Sequence, residues 1–176
     1  MDLQRRSVGL AIASIFVTGI WLLGSVPQAT AETLTFKIFS HVTKAEMVPI
    51  ADVEGHVISL TVREGAAVFE NGEWAWIKAT QTRDLIKGAG TSDVYETITF
   101  LDGSTLTFRM KGTLEATPQG ATSAAKWSGE TTHGTGRFQG IKGTVMTSSK
   151  VLPPEKGEPA GKSLVEGTLV YTLPGK

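Results

Sequence analysis

The chain has 176 residues, with 17 basic and 17 acidic side chains, three histidines and no cysteine. An even charge balance gives no electrostatic basis for neutralising phosphates, so no nucleic-acid partner is expected. The lack of cysteine excludes disulfides, thiolate catalysis, cysteine-based zinc sites and a lipid-modified N-terminal cysteine.

Residues 1–31 read as a secretory signal peptide. Arg5 and Arg6 form a basic start, Val8 to Gly24 an apolar stretch, and Ala29-Thr30-Ala31 a small-x-small cleavage site before Glu32. The apolar stretch is short of the ~20 residues that a spanning helix needs. Cleavage is therefore expected, with no stable membrane insertion afterwards; an uncleaved anchor is the alternative. The style of the segment is bacterial and predicts a periplasmic or secreted protein. Residues 32–176 remain, 145 after subtracting 31 from 176, enough for one domain with one core. Losing Asp2, Arg5 and Arg6 leaves 15 basic and 16 acidic residues, a net charge of −1.

This mature part reads as strands almost throughout. Leu34, Phe36 and Ile38 alternate with Thr35 and Lys37; Ile58, Leu60 and Val62 alternate with Ser59, Thr61 and Arg63. Leu106, Phe108 and Met110 alternate with Thr105, Thr107 and Arg109, and Leu164 to Leu173 is a further β-rich run. A period of two predicts one buried face and one that is solvated or lines something polar. Asn71-Gly72 and Asp102-Gly103 predict two-residue hairpin turns, each joining two such runs. Lys44 to Gly55 and Val151 to Lys162, both with proline and glycine, predict loops. Gly112-Thr113-Leu114, Gly143-Thr144-Val145 and Gly167-Thr168-Leu169 echo one another, as in a meander whose strands pack closely at similar heights. The expectation is all-β: a single small antiparallel β-barrel of about eight or nine strands, closed and preceded by the signal peptide helix.

The polar candidates fall into two sets. His41, Glu46, Asp52, Glu54 and His56 lie close together between the first two strands. A loop bringing His41 and His56 together with a carboxylate would suit a divalent ion, but the spacing matches no standard ligand frame, and no metal is predicted. Either histidine alone would serve as an acid or base at a barrel mouth. In the strand Asp93–Leu101, Glu96 shares a face with Val94, Ile98 and Phe100, while Tyr95 faces with Thr97 and Thr99. If the apolar face lines the barrel, Glu96 points inward as a buried carboxylate and a functional candidate; the alternative sets it near the rim, in water. His41, His56, Glu96 and Tyr95 are thus the candidate catalytic residues. Phe36, Ile77, Phe100 and Phe108 are the candidate lining of a ligand site, with core packing as the plainer role of each aromatic. Trp74 and Trp76 share the face opposite Ala75, Ile77 and Ala79.

Gly134-Thr135-Gly136-Arg137-Phe138-Gln139-Gly140-Ile141-Lys142-Gly143 misses the dinucleotide fingerprint by one residue and lacks a following helix, so no nucleotide cofactor is expected, nor any other. The same stretch, with the Phe69-Glu70-Asn71-Gly72 hairpin and the Asp102-Gly103-Ser104 turn, resembles barrels of the allene oxide cyclase and dirigent type, above all their exported bacterial relatives. The resemblance implies the barrel; it carries over no catalytic residue, and one barrel hosts many roles. Three functions follow as expectations: an exported barrel that binds a small, largely apolar molecule inside; a cofactor-independent isomerase or cyclase; or a cell-envelope interaction module, with a homo-oligomer as one form of it.

Overall fold

The computed structural model describes residues 30–118, 122–152, 156 and 161–174. All but the last two residues of the expected signal segment lie outside them. Eight strands follow in chain order: β1 (Glu32–Pro49), β2 (His56–Phe69), β3 (Trp74–Ile86), β4 (Ala89–Phe100), β5 (Thr105–Ala116), β6 (Thr122–Gly134), β7 (Lys142–Val151) and β8 (Ser163–Thr172). Each pairs antiparallel with the next, and β8 pairs back to β1, giving a closed barrel without a free edge.

The barrel has two unlike ends. At one, an aromatic chain fills the interior. Ring centroids lie 5.7 Å apart for Phe36 and Phe69, 5.0 Å for Phe69 and Phe100, and 4.9 Å for Phe100 and Phe138. Tyr171 follows, 6.4 Å from Phe138 and edge-on. Ala67, Ile77, Ile98, Leu106, Phe108 and Leu169 pack around them. The glycine-rich stretch makes the cap of this end. A short 3-10 turn, Gly136–Phe138, lies between β6 and β7, with Gly136 and Gly140 at positive φ of 58° and 76°. These left-handed positions fold the turn over the opening and let Phe138 enter it. Arg137 then locks the cap from outside. Its guanidinium makes a two-pronged ion pair with Glu73 at 2.7 and 2.9 Å and lies 4.6 Å from the Phe100 ring centre.

Interior glycines explain how large rings fit a narrow cylinder. Gly112, Gly143 and Gly167 are the direct cross-strand partners of Trp127, Tyr171 and Phe36. A Cβ on Gly167 would collide with the Phe36 ring, and one on Gly112 with the Trp127 ring. The repeated glycine echo is therefore a set of small-against-large pairs.

Three local features depart from expectation. Asn71-Gly72 and Asp102-Gly103 do not form two-residue turns, because only the glycines have positive φ. Each loop is a three-residue turn: Gly72 N–H donates to Phe69 C=O, Gly103 N–H to Phe100 C=O, and the Asn71 and Asp102 side chains accept from the residues two further on. The true two-residue turn is Lys87-Gly88, where both residues have positive φ, 50° and 82°, between paired Ile86 and Ala89. Finally, Lys44 to Pro49 is strand and not loop. Past a bulge at Thr43 this part of β1 pairs with Val57–Val62 of β2, beyond the barrel wall, with every residue exposed. Solvent on both faces removes the alternation by which a strand is recognised.

Removing the plug tests its weight. Phe138→Ala is expected to lower stability by about 3–5 kcal/mol in urea unfolding, and Arg137→Ala by about 1 kcal/mol; equal losses would mean that the clamp, not the ring, closes this end.

Candidate functional site

The opposite half of the interior is polar, and strand parity makes it so. Ala67 and Phe69 of β2 face the aromatic core, so Arg63, Thr61 and Ser59, at the same parity, face inward as well. No bulge interrupts β2 against β3, so the phase cannot reset. The predicted apolar face of Ile58, Leu60 and Val62 consequently turns outward, with Ile58 exposed. In β3, Ala75, Ile77 and Ala79 lead on to Gln81 and Arg83, and in β4 Phe100 and Ile98 lead to Glu96, Val94 and Ser92. Cross-strand pairing then sets Arg63 beside Ala79, Ala79 beside Glu96, and Arg83 beside Ser92.

These residues surround a cavity of about 80 Å³ inside the wall, several times what one water needs. Arg63, Arg83, Gln81 and Glu96 supply its polar side, and Val94, Met110, Leu114 and Trp127 its apolar side. Arg63 is held in place: Nε donates to Ser40 Oγ at 3.2 Å, and Nη2 to Ser163 Oγ at 3.0 Å and to the Gly161 carbonyl at 3.2 Å. Arg83 Nη2 donates to Gln81 Oε1 at 2.7 Å, and Gln81 Nε2 in turn to Ser92 Oγ at 2.8 Å. Burial lowers the pKa of both arginines. Arg63 falls to about 10, through burial first and the Arg83 charge second, so it stays cationic at neutral pH. Burial pushes Glu96 up to about 7, against the pull of Arg63.

The polar groups here are incompletely satisfied. Among the described residues, six buried side-chain polar atoms have no hydrogen-bond partner. Five of them belong to residues that line the cavity: Arg83 Nε, Glu96 Oε1, Trp127 Nε1, Thr147 Oγ1 and Ser149 Oγ. Native interiors leave few such atoms, and here they are concentrated around one cavity.

The sequence-predicted residues divide as follows. Glu96 is buried inside the barrel, on the inward of its two alternatives. Tyr95 is on the outer surface, where Arg109 lies 5.5 Å from its ring centre. His41 is on the outer face of β1, opposite Glu64. His56 opens β2, eight positions from Glu64 (64 − 56), or roughly 26 Å at ~3.3 Å per residue, so the two histidines do not meet. His56 bridges carboxylates instead: Nδ1 is 2.5 Å from Asp52 and Nε2 is 2.8 Å from Asp84, and these bonds, Asp52's first, raise its pKa. That contact ties the β1–β2 connection to β3, beside a backbone bond from Lys87 N–H to Gly55 C=O. Phe36, Ile77, Phe100 and Phe108 sit in the packed core, and none lines the cavity. They are large and apolar and fill the aromatic end, where glycine pairing makes room for rings and leaves none for a guest. Trp74, Trp76, Phe39 and Leu164 are exposed outside. Sequence reasoning missed Arg63, Arg83 and Gln81. For Arg63 the signal was a conflict of phase within β2, between the odd positions Ala67 and Phe69 and the even positions Ile58, Leu60 and Val62; Gln81 and Arg83 continue the parity of Ala75, Ile77 and Ala79 in β3.

Solved structures of two pterocarpan synthase dirigent proteins share this architecture. GePTS1 superimposes with a TM-score of 0.52 at 14% identity, over 94% of this chain and 98% of that one. PsPTS1 gives 0.51 at 14% identity, over 82% of this chain and 97% of that one. No family model matches the sequence, and none of the curated proteins is similar to it. The fold is thus a dirigent-like closed barrel of eight strands, and identity this low establishes the fold alone.

The buried carboxylate has a pH signature. Its folded pKa of about 7 lies above the ordinary 4.5, so the native state binds the proton more tightly than the unfolded chain. The Glu96 contribution is therefore neutral below about pH 4.5 and becomes unfavourable as pH rises through about 7, reaching roughly 3 kcal/mol. Glu96→Gln is expected to be more stable than the parent at about pH 8, by an increment that vanishes near pH 4; a constant difference across that range would show that Glu96 is not desolvated.

Proposed function

We propose that this barrel binds a small molecule in the polar half of its interior. One observation carries the reading: a cavity with a rigidly held arginine, a second arginine and a buried carboxylate, ringed by polar atoms without partners. A cavity serving only packing would be apolar and dry. The walls from Val94, Met110, Leu114 and Trp127 suit an apolar body, while the polar groups fix its orientation. The ligand is therefore amphipathic rather than wholly apolar, and its contacts fall on the cavity side chains rather than on Phe36, Ile77, Phe100 and Phe108. Export to the periplasm or beyond is part of the same proposal and rests on residues 1–31.

A second reading uses the same cavity for cofactor-independent isomerisation or cyclisation. It is favoured by Glu96, whose pKa of about 7 lets it both give and take a proton near neutral pH. The two similar barrels are pterocarpan synthase dirigent proteins, which is consistent with chemistry in such a barrel.

Native mass spectrometry of the protein purified from its own host is expected to show a bound compound. Ala79→Leu, which fills the cavity beside Glu96, is expected to abolish that adduct with the barrel intact. An adduct unchanged in Ala79→Leu would place the ligand elsewhere. If the retained compound is turned over, Glu96→Gln is expected to keep binding and slow turnover by about 10²-fold; equal turnover would remove Glu96 as the acid or base.

A further inference from the structure

The cavity is asymmetric in what it lacks. Of the five lining atoms without a partner, Arg83 Nε and Trp127 Nε1 are obligate donors, and the Thr147 and Ser149 hydroxyls can each donate. Glu96 Oε1 is the one obligate acceptor, and only while ionised; the two hydroxyls can accept as well as donate. Two obligate donors therefore stand against one obligate acceptor, and an acceptor guest satisfies more of the set than a donor would. The charge count agrees. Among the described residues, two guanidinium groups and one carboxylate line the cavity, so that lining carries an excess of one positive charge, and more whenever Glu96 is protonated. An uncompensated charge in a low-dielectric interior is strongly disfavoured unless an opposite charge joins it. Nor are the arginines placed by chance of flexibility: Arg63 is fixed by three donated bonds and Arg83 by its bond to the Gln81–Ser92 pair.

Resting on the binding reading above, we infer that the guest of this cavity is a small organic monoanion, a carboxylate on a short apolar body, held through Arg63 and Arg83. A carboxylate offers two oxygens in a plane, which matches the planar donor edge of a guanidinium. Its apolar body lies against Val94, Met110, Leu114 and Trp127. The modest cavity size, about 80 Å³, limits that body to a few carbons or one that reaches past the rim. A neutral molecule of the same shape would leave the positive charge uncompensated, so discrimination between acid and amide is the property that this arrangement produces.

The test titrates the full-length mature protein by calorimetry with straight-chain carboxylates from acetate to hexanoate, and with the matching primary amides and alcohols. Carboxylates are expected to bind at least about tenfold more tightly than their amides, a factor that corresponds to roughly 1.4 kcal/mol. Chloride is expected to weaken the carboxylates and not the amides. Arg83→Gln is expected to erase the preference, and Arg83→Lys to keep most of it, which separates lost charge from lost packing; the folded state of each variant is checked by its amide NMR spectrum. Should Arg83→Gln fail to fold, the acid-to-amide ratio of the unaltered protein still decides. Amides or alcohols that bind as well as the acids would overturn the anion inference and leave the binding cavity standing. Titrations in which no compound binds, while the host-purified protein also carries no adduct, would overturn both.

Discussion

Strict alternation around a closed ladder is the constraint on which this molecule depends. A strand's side chains point in and out by turns, and in a closed barrel every strand shares its phase with two neighbours. Placing Phe36, Phe69 and Phe100 inside at one end therefore commits the odd residues of β2 and β3 and the even residues of β4 for their whole length. A bulge would reset the phase, and bulges do occur at Thr43 in β1 and in the pairing of β5 with β6. None interrupts the β2–β3, β3–β4 or β4–β5 pairs. Arg63, Gln81, Arg83 and Glu96 are inside because the aromatic end left them no other side.

The two halves of the interior consequently do different physical work. The aromatic half supplies stability, through ring pairs worth about 0.5–1.5 kcal/mol each beyond their buried area, under a cap held by Arg137. The polar half lowers stability, since burial penalises the two arginine charges and the Glu96 carboxylate together. An arrangement that opposes folding in this way persists where it is useful, which is why perturbed titratable groups gather at functional sites. The connections around this half are tied to one another by single bonds. Thr122 Oγ1 donates to Gly88 C=O at 2.9 Å, Lys87 N–H to Gly55 C=O at 2.9 Å, and Leu152 N–H to Lys162 C=O at 2.8 Å. Those bonds fix the rim without filling it.

Much of the fold was legible from residues alone. Alternation located the inward faces at Leu34–Ile38 and Leu106–Met110, the glycine-rich stretch located a bend, and the absence of helical periodicity excluded other classes. Glu96 was legible as a candidate because it shares parity with Val94, Ile98 and Phe100. Less legible was anything set by pairing rather than by local pattern. Ile58, Leu60 and Val62 form a clean apolar stripe, and alternation assigns that stripe to the core; the neighbouring strands assign it to solvent. The β1 extension was invisible for the opposite reason, as a strand wet on both faces has no preferred period. The histidines drew attention by their chemistry, yet neither reaches the interior: His41 has outward parity, and His56 is engaged by Asp52 and Asp84 at the rim.

A stretch that marks a fold and the residues proposed to bind a ligand need not coincide, and here they lie at opposite ends of one cylinder. The glycines around Arg137 and Phe138 close the aromatic end. The charged residues of the polar end belong to three consecutive strands, β2, β3 and β4, and their identities are free to change without disturbing the plug, since only their parity is dictated. A barrel built this way holds its shape from one half while the chemistry of the other half varies. Chains with 14% identity share the architecture, so the functional reading of this one has to come from Arg63, Arg83 and Glu96 rather than from its resemblance to them.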